Sequence, residues 1–336
     1  IAIFSGDTLF LGDVGRPDLA QKSGNITQDD LAGILFESLR TKIMPLADDV
    51  LVYPAHGSGS ACGKNLSKET VGTLGEQKKT NYALRADMTK KEFIREVTDG
   101  LHPPPQYFPL NVKMNKDGYK DIDKVLKTGT TALDPDSFEK LANQNRAIIL
   151  DVRHQDDFAK EHIPQSIFIG LDGGFAPWAG TMIGDITLPI LLITPDGREE
   201  EAVTRLARVG FDNTLGYLKG GLKAWKKDKR VTDSINWIGA KKFFELDKNV
   251  GLDVFDFRKQ DEYASEHIPL SQNIPLDVIN QNMDLLPKVS PFYIHCAGGY
   301  RSMIAASILK SRGIHNFIDV KGGLGAIKKT GIALIN

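Results

Sequence analysis

Cysteine is nearly absent: two residues in 336 cannot build a disulfide framework. Cys62 and Cys296 stand far apart, each in a glycine-bearing stretch, so a reducing cytoplasmic setting is expected. Long hydrophobic runs are also missing. The most continuous, from Leu188 to Ile193, is far short of the roughly 20 apolar residues that cross a bilayer. Charge of one sign is lacking too, since 42 basic residues stand against 43 acidic ones. That balance removes the electrostatic case for a nucleic-acid or membrane-surface partner. No signal-peptide pattern opens the chain. The length calls for two or three domains rather than one core.

The most informative stretch that is present runs Ile294-His295-Cys296-Ala297-Gly298-Gly299-Tyr300-Arg301-Ser302. The apolar Phe292-Tyr293-Ile294 reads as a buried strand, and Met303 to Leu309 as the start of an apolar helix. Cys296 therefore falls where a strand ends and a helix begins. Backbone N–H groups converge in such a turn, and the helix N-terminus adds partial positive charge. A thiol there is biased toward its reactive thiolate. Gly298 and Gly299 let the backbone curl, and Arg301 offers a planar fork of donors to an anion. Cys296 and Arg301 are thus the candidate catalytic pair. Ala297, Gly298, Gly299, Tyr300 and Ser302 are the candidate substrate-binding loop. His295 either tunes the thiol or is a satisfied core histidine, and Ser302 either donates to the sulfur or caps the helix.

A repeat supports an α/β reading. Ile148-Ile149-Leu150-Asp151-Val152-Arg153 answers to Val254-Phe255-Asp256-Phe257-Arg258, Glu161-His162-Ile163-Pro164 to Glu266-His267-Ile268-Pro269, and Lys219-Gly220-Gly221-Leu222 to Lys321-Gly322-Gly323-Leu324. Short apolar strands alternate with amphipathic helices in each copy, which predicts parallel sheets flanked by helices. Asp256 and Arg258 read as a brace of the domain core, and His162 and His267 as structural. The first copy has Thr194-Pro195-Asp196-Gly197-Arg198 where the second has its cysteine loop. It has no thiol, and Glu199-Glu200-Glu201 puts carboxylates where an anion would bind.

The C-x4-R spacing from Cys296 to Arg301 resembles the active-site loop of rhodanese-type sulfurtransferases, whose cysteine carries sulfane sulfur as a persulfide. Related phosphatases of that fold use a C-x5-R loop, wide enough for phosphate. The resemblance implies an inactive rhodanese-like domain over 130–230 and an active one over 231–336.

The chain before them, 1–118 with its linker, is read separately. Ile1 to Phe4 and Val50 to Tyr53 are short strands, and a helix is expected over Thr27 to Lys42 with Leu31, Ile34, Leu35 and Leu39 on one face. Thr70 to Arg95 reads as a polar helical surface layer. His102 and the three prolines after it break the chain, and 106–130 reads as an interdomain crossing. Phe4-Ser5-Gly6-Asp7-Thr8-Leu9-Phe10, Gly12-Asp13-Val14-Gly15-Arg16-Pro17-Asp18-Leu19 and Tyr53-Pro54-Ala55-His56-Gly57 resemble the C-terminal half of a metallo-β-lactamase αββα sandwich. The nearest branch is that of the persulfide dioxygenases. That resemblance implies Asp7 as an iron ligand, His56 as the last motif histidine at or beside the metal, and Arg16 near the substrate. One carboxylate and one imidazole do not complete an iron site. The remaining ligands, and an N-terminal part of the domain, are expected upstream of Ile1. Cys62 reads as structural or substrate-flanking.

Together the two resemblances imply a persulfide dioxygenase-sulfurtransferase in sulfide metabolism. A low-molecular-weight thiol persulfide would be oxidised to sulfite at one Fe(II) per complete metallo-β-lactamase domain, with zinc an alternative occupant in purified protein. Sulfane sulfur would pass through Cys296 between thiosulfate or sulfite and a thiol acceptor. Fusions of this kind often pair, so a homodimer is expected. Two other readings stay open: a thioester hydrolase of the glyoxalase II kind with a dinuclear site, and a non-catalytic sulfur-carrier or adaptor module.

Overall fold

The computed structural model describes residues 1–20, 26–57, 66–101 and 108–336; Cys62 and His102 lie outside them. The chain forms two compact units, Ile1–Pro109 and Leu110–Asn336.

In the first unit a three-stranded sheet holds β1 (Ala2–Gly6), β2 (Leu51–Pro54) and β3 (Gly72–Thr73) in that order. β1 and β2 run parallel, so the chain leaves both at the same end of the sheet. Between them lies α1 (Gln28–Ser38), which continues through a wider turn over Leu39–Ile43. Its start is fixed by a capping box: Thr27 accepts from the Asp30 N–H, and Asp30 accepts from the Thr27 N–H. Of the expected helix face, Leu39 is buried and Leu35 is half-buried, while Ile34 points to solvent. The region read as a polar helical layer is instead mixed. It contains β3, α2 (Leu74–Thr80) and α3 (Lys90–Thr98). Leu74, Leu84 and Phe93 reach into the core beside Leu9 and Val52. The apolar positions there are too widely spaced for one periodic face, but each fills the space over the sheet.

In the second unit α4 (Phe108–Asp117) leads to α5 (Ile122–Gly129). α5 falls inside the stretch read as a crossing, yet it packs on the first rhodanese-like copy. A Cβ on Gly129 would come within 2.7 Å of Val203, so the absence of a side chain lets α5 settle on its neighbour. The first copy then runs β4 (Ala132–Leu133), α6 (Pro135–Asn145), β5 (Ile148–Asp151), α7 (Gln155–Lys160), β6 (Ile167–Phe168), α8 (Phe175–Met182), β7 (Ile190–Ile193), α9 (Glu199–Ala207), β8 (Thr214–Leu218) and α10 (Gly221–Lys227). The second copy repeats it with β9 (Trp237–Gly239), α11 (Ala240–Val250), β10 (Val254–Asp256), α12 (Gln260–Ser265), β11 (Gln272–Asn273), α13 (Ile279–Asn282), β12 (Phe292–His295), α14 (Tyr300–Ser311), β13 (Phe317–Lys321) and α15 (Gly323–Ile327).

The two sheets have one topology. Their orders are β4-β8-β7-β5-β6 and β9-β13-β12-β10-β11, and every pairing in them is parallel. β7 and β12 are central and buried throughout, as continuous apolar runs covered on both faces should be. The Asp–Arg pairs seen in the repeat brace each domain: Arg153 bonds Asp151 and the Glu161 carbonyl, and Arg258 bonds Asp256 and the Glu262 and Glu266 carbonyls. His162 and His267 are structural. Their Nδ1 atoms lie 2.9 Å from the Phe158 and Tyr263 carbonyls, and their rings stack on those aromatics. No helix among the described residues is long and apolar enough to cross a membrane.

Candidate functional site

β12 delivers the chain to the C-terminal edge of its sheet, the edge at which open α/β folds place their ligands. There Cys296 begins the turn that becomes α14. Gly299, at φ 103, sits at the helix N-cap and turns its N–H back to 3.2 Å from Cys296 Sγ. A β-carbon is disfavoured at that φ. Ala297 and Gly298 are exposed, while Cys296 itself is buried. The buried sulfur is faced by an amide donor.

The outer side of the turn is fixed by the repeated Lys-Gly-Gly-Leu motif. N–H groups at the start of α15 donate to the loop carbonyls, Leu324 to Cys296 at 2.7 Å and Gly325 to Ala297 at 2.9 Å. With those carbonyls tied outward, the amides are free to face the inside of the loop. A Cβ on Gly323 would fall 2.3 Å from the Cys296 carbonyl oxygen. The motif is legible as a repeat, while its service to the cysteine loop lies in hydrogen bonds that sequence spacing does not record.

Both ends of the Arg301 guanidinium bond the Glu262 carboxylate of α12, at 2.5 and 2.8 Å. The hydrogen bond from Arg301 pulls the Glu262 carboxyl down to about 2, and the same pairing raises Arg301. Arg301 therefore fastens the start of α14 to α12. Ser302 is turned inward. It is buried, donates to the Gly299 carbonyl at 3.3 Å, and shares a hydrogen bond with Asp319 of β13. Burial raises the Asp319 carboxyl to about 7, and its Oδ1 has no hydrogen-bond partner among the described residues. His295 is buried with Nδ1 3.2 Å from the Cys296 carbonyl and 3.8 Å from Asp256. Burial lowers its basicity, so it is a neutral core imidazole.

Tyr300 reaches into the other copy. Its hydroxyl donates to the Gly170 carbonyl at 2.7 Å, and its ring meets Phe168 edge-on. Gln155 of α7 donates to the Gly298 carbonyl at 3.4 Å, and Lys321 pairs with Asp156 at 3.2 Å. Glu262, Asp319 and Gln155 do not stand out in the sequence, because each comes from another element and carries no local motif. In the first copy the equivalent turn holds no thiol. The Glu199 carboxylate accepts the Gly197 N–H and the Thr194 hydroxyl, and Arg198 pairs with Glu201 and Asp172. A carboxylate of the chain thus occupies the turn where an outside anion would bind.

In the first unit the parallel pairing of β1 and β2 brings Asp7 and His56 together, with Nε2 3.2 Å from Oδ1. Both side chains are open to solvent. Arg16 is held by Asp18 through two bonds of 3.0 and 2.7 Å. Asp7 and His56 provide two donors suited to iron or zinc. The described residues contain no group of three or more His, Cys, Asp or Glu placed to hold a metal, so the set they offer is incomplete.

Known proteins place this geometry. The Rhodanese-like domain family matches residues 134–228 and 240–330. The chain is 30% identical over 174 residues to the adenylyltransferase and sulfurtransferase uba4 of Ogataea parapolymorpha, covering 50% of this chain and 41% of that protein. It is 32% identical over 83 residues to the hydroxyacylglutathione hydrolase GloC of Haemophilus influenzae, covering 25% of this chain and 30% of that one. It spans under half the length of each of these curated relatives. A solved metallo-beta-lactamase from Staphylococcus aureus subsp. aureus COL is similar with a TM-score of 0.54 and 28% identity, covering 65% of this chain and 59% of that chain. The chain thus joins part of a metallo-β-lactamase fold to two rhodanese-like domains, and with the family match spanning more than half its length it belongs to the rhodanese-like family.

Proposed function

We propose that the protein is a sulfurtransferase of sulfur metabolism, with Cys296 as the atom carrier. The observation that carries this reading is the Gly299 N–H aimed at Cys296 Sγ within a C-x4-R loop whose carbonyls are tied outward. A sulfur anion held by a preorganised amide is the starting state for nucleophilic transfer. The Cys296 thiolate attacks the outer sulfur of thiosulfate, the S–S bond breaks, and sulfite leaves with the bonding pair. The enzyme is left as a Cys296 persulfide. An acceptor thiolate or cyanide then attacks the terminal sulfur and returns the Cys296 thiolate, so no outside oxidant or reductant is consumed. Ala297 and Gly298 form the exposed approach to the sulfur. Arg301, locked by Glu262, sets where the helix begins and hence where the Gly299 N–H points.

The test is release of thiocyanate from thiosulfate and cyanide, with native protein beside Cys296→Ser. Loss of activity to the uncatalysed level is expected. Turnover that survives the substitution overturns the assignment of the nucleophile, and absence of turnover in native protein favours a sulfur-carrier or adaptor module.

For the first unit the proposed chemistry is oxidation of a low-molecular-weight thiol persulfide to sulfite at a mononuclear iron. It is supported by the pairing of Asp7 with His56 and by the resemblance of the surrounding loops. Two donors do not make that centre, and no step is derived through it. The match to a hydroxyacylglutathione hydrolase keeps thioester hydrolysis as the second reading. Metal analysis separates them in a chain carrying a complete metallo-β-lactamase domain: one iron favours the dioxygenase, and two metals favour the hydrolase.

A further inference from the structure

The two rhodanese-like copies enclose a cleft of about 980 Å³ that the sulfur chemistry does not use. It opens beside Ile148, at the N-terminal end of β5 in the first copy's sheet, and none of the cysteine loop 296–302 lines it. Ile149, Ile167 and Met182 of the first copy and Ile308 of the second line its apolar wall. Arg146, Lys229 and Arg312 stand around it as exposed cations, and none of them forms an ion pair among the described residues. The carboxylate on the wall, Glu139, is bound by a fourth cation, Arg230.

Two of these cations sit on backbone that suits glycine. Arg146 has φ 51 and Lys229 has φ 57. At the equivalent points of the second copy, 105 and 102 residues on, stand Gly251 at φ 65 and Gly331 at φ 85. Side chains in that region cost conformational energy. The first copy therefore accepts strain twice at places where its sister uses glycine, and both times puts a positive charge on the same cleft. Arg146 closes α6 and Arg312 closes α14, where a cation also offsets the helix dipole. Lys229 follows the C-cap of α10, its N–H bonded to the Lys226 carbonyl at 2.9 Å, so all three cations stand at helix C-termini.

We propose that this cleft binds a free aliphatic carboxylate, its chain against the isoleucine wall and its anionic head among Arg146, Lys229 and Arg312. The volume falls at the upper end of small-ligand sites, and an apolar lining with a small number of charged groups is what such sites share. The unpaired cations supply the charge complementarity that selects an anion over a neutral chain of equal length.

The experiment is isothermal titration of the full chain with decanoate, below the concentration at which decanoate aggregates. Arms with 1-decanol and with anionic phospholipid vesicles run beside it. One-to-one binding of decanoate is expected, at least tenfold tighter than 1-decanol. The double variant Arg146→Gly, Lys229→Gly restores the sister copy's residues and relieves both strained positions. Its thermal midpoint should be unchanged or higher, while its affinity for decanoate should fall at least tenfold. Arg312→Gln gives an independent second reading of the same loss. No binding of decanoate, equal affinity in the double variant and Arg312→Gln, equal affinity for 1-decanol, or association with vesicles alone would each overturn the proposal.

Discussion

At the scale of single residues, the cysteine loop depends on two carboxylates that behave in opposite ways. Glu262 is held ionised by Arg301, well below its ordinary range at about 2. A depressed carboxyl contributes stability that is present above its unfolded value, near 4.5, and lost as pH falls through about 2. Glu262→Gln leaves the fork of Arg301 half-satisfied. It should lower stability by about 1–2 kcal/mol, seen as a lower urea midpoint at pH 7, and should flatten the stability profile below pH 4.5. Sulfur-transfer rate should fall with it, because the start of α14 loses its tether to α12. Asp319 runs the other way. Burial raises it to about 7, so its contribution is full below pH 3.8 and lost as pH rises through about 7. The hydrogen bond with Ser302 favours the charged form, but burial outweighs it. Above about pH 7, a buried charge lies beneath the cysteine turn. Asp319→Asn should therefore stabilise the protein at pH 8 by on the order of 2 kcal/mol and change it little at pH 4. Urea midpoints at the two values decide this, and a larger gain at pH 4 would contradict it.

At the scale of elements, the twin Lys-Gly-Gly-Leu motifs offer a matched comparison. Gly323 and Gly221 have φ 56 and 53, so both carry the same backbone strain when substituted. Around Gly221 a new Cβ meets nothing within 4 Å, whereas at Gly323 it strikes the Cys296 carbonyl at 2.3 Å. Gly221→Ala should cost about 1 kcal/mol and leave sulfur transfer within twofold. Gly323→Ala should cost more than about 2 kcal/mol and lower transfer at least tenfold, read from the same thermal melts and thiocyanate assay. This pair also shows what a sequence reveals of such a site. Strand, turn and helix around Cys296 were legible because the apolar run, the glycines and the C-x4-R spacing are contiguous, and the parallel sheets followed from the repeat. The partners of the loop were not, because Glu262, Asp319 and Gly323 reach it from other strands and helices. The Glu262 partner of Arg301 was not legible either, because spacing records where a guanidinium sits and not what it bonds. The helix Ile122–Gly129 was taken for linker since its polar sequence hides how closely Gly129 packs on Val203.

At the scale of the whole second unit, the copy without a thiol holds the copy that has one. Tyr300 lies inside the C-x4-R loop, between the N-cap glycine and Arg301, yet its ring and hydroxyl are packed on Phe168 and Gly170 of the first copy. Ser307, two turns further along the same face of α14, accepts the Phe168 N–H at 3.0 Å. Moving Tyr300 therefore moves the amide that faces the sulfur. Gly173 is the place to push from the other side, because a Cβ there would come within 2.4 Å of the Tyr300 ring. Gly173→Ala, a one-carbon change in the domain without a nucleophile, should lower sulfur transfer about tenfold and shift the kcat rather than the KM for thiosulfate. Gly184→Ala is the control. Its φ of 73 brings comparable strain with nothing within 4 Å, so it should destabilise without that loss of rate. Tyr300→Phe keeps the ring and gives up one hydrogen bond, a cost of about 1 kcal/mol, and should fall between the two. If Gly173→Ala turns over like the native protein while Cys296→Ser does not, the first copy is a neighbour of the active loop and not its support.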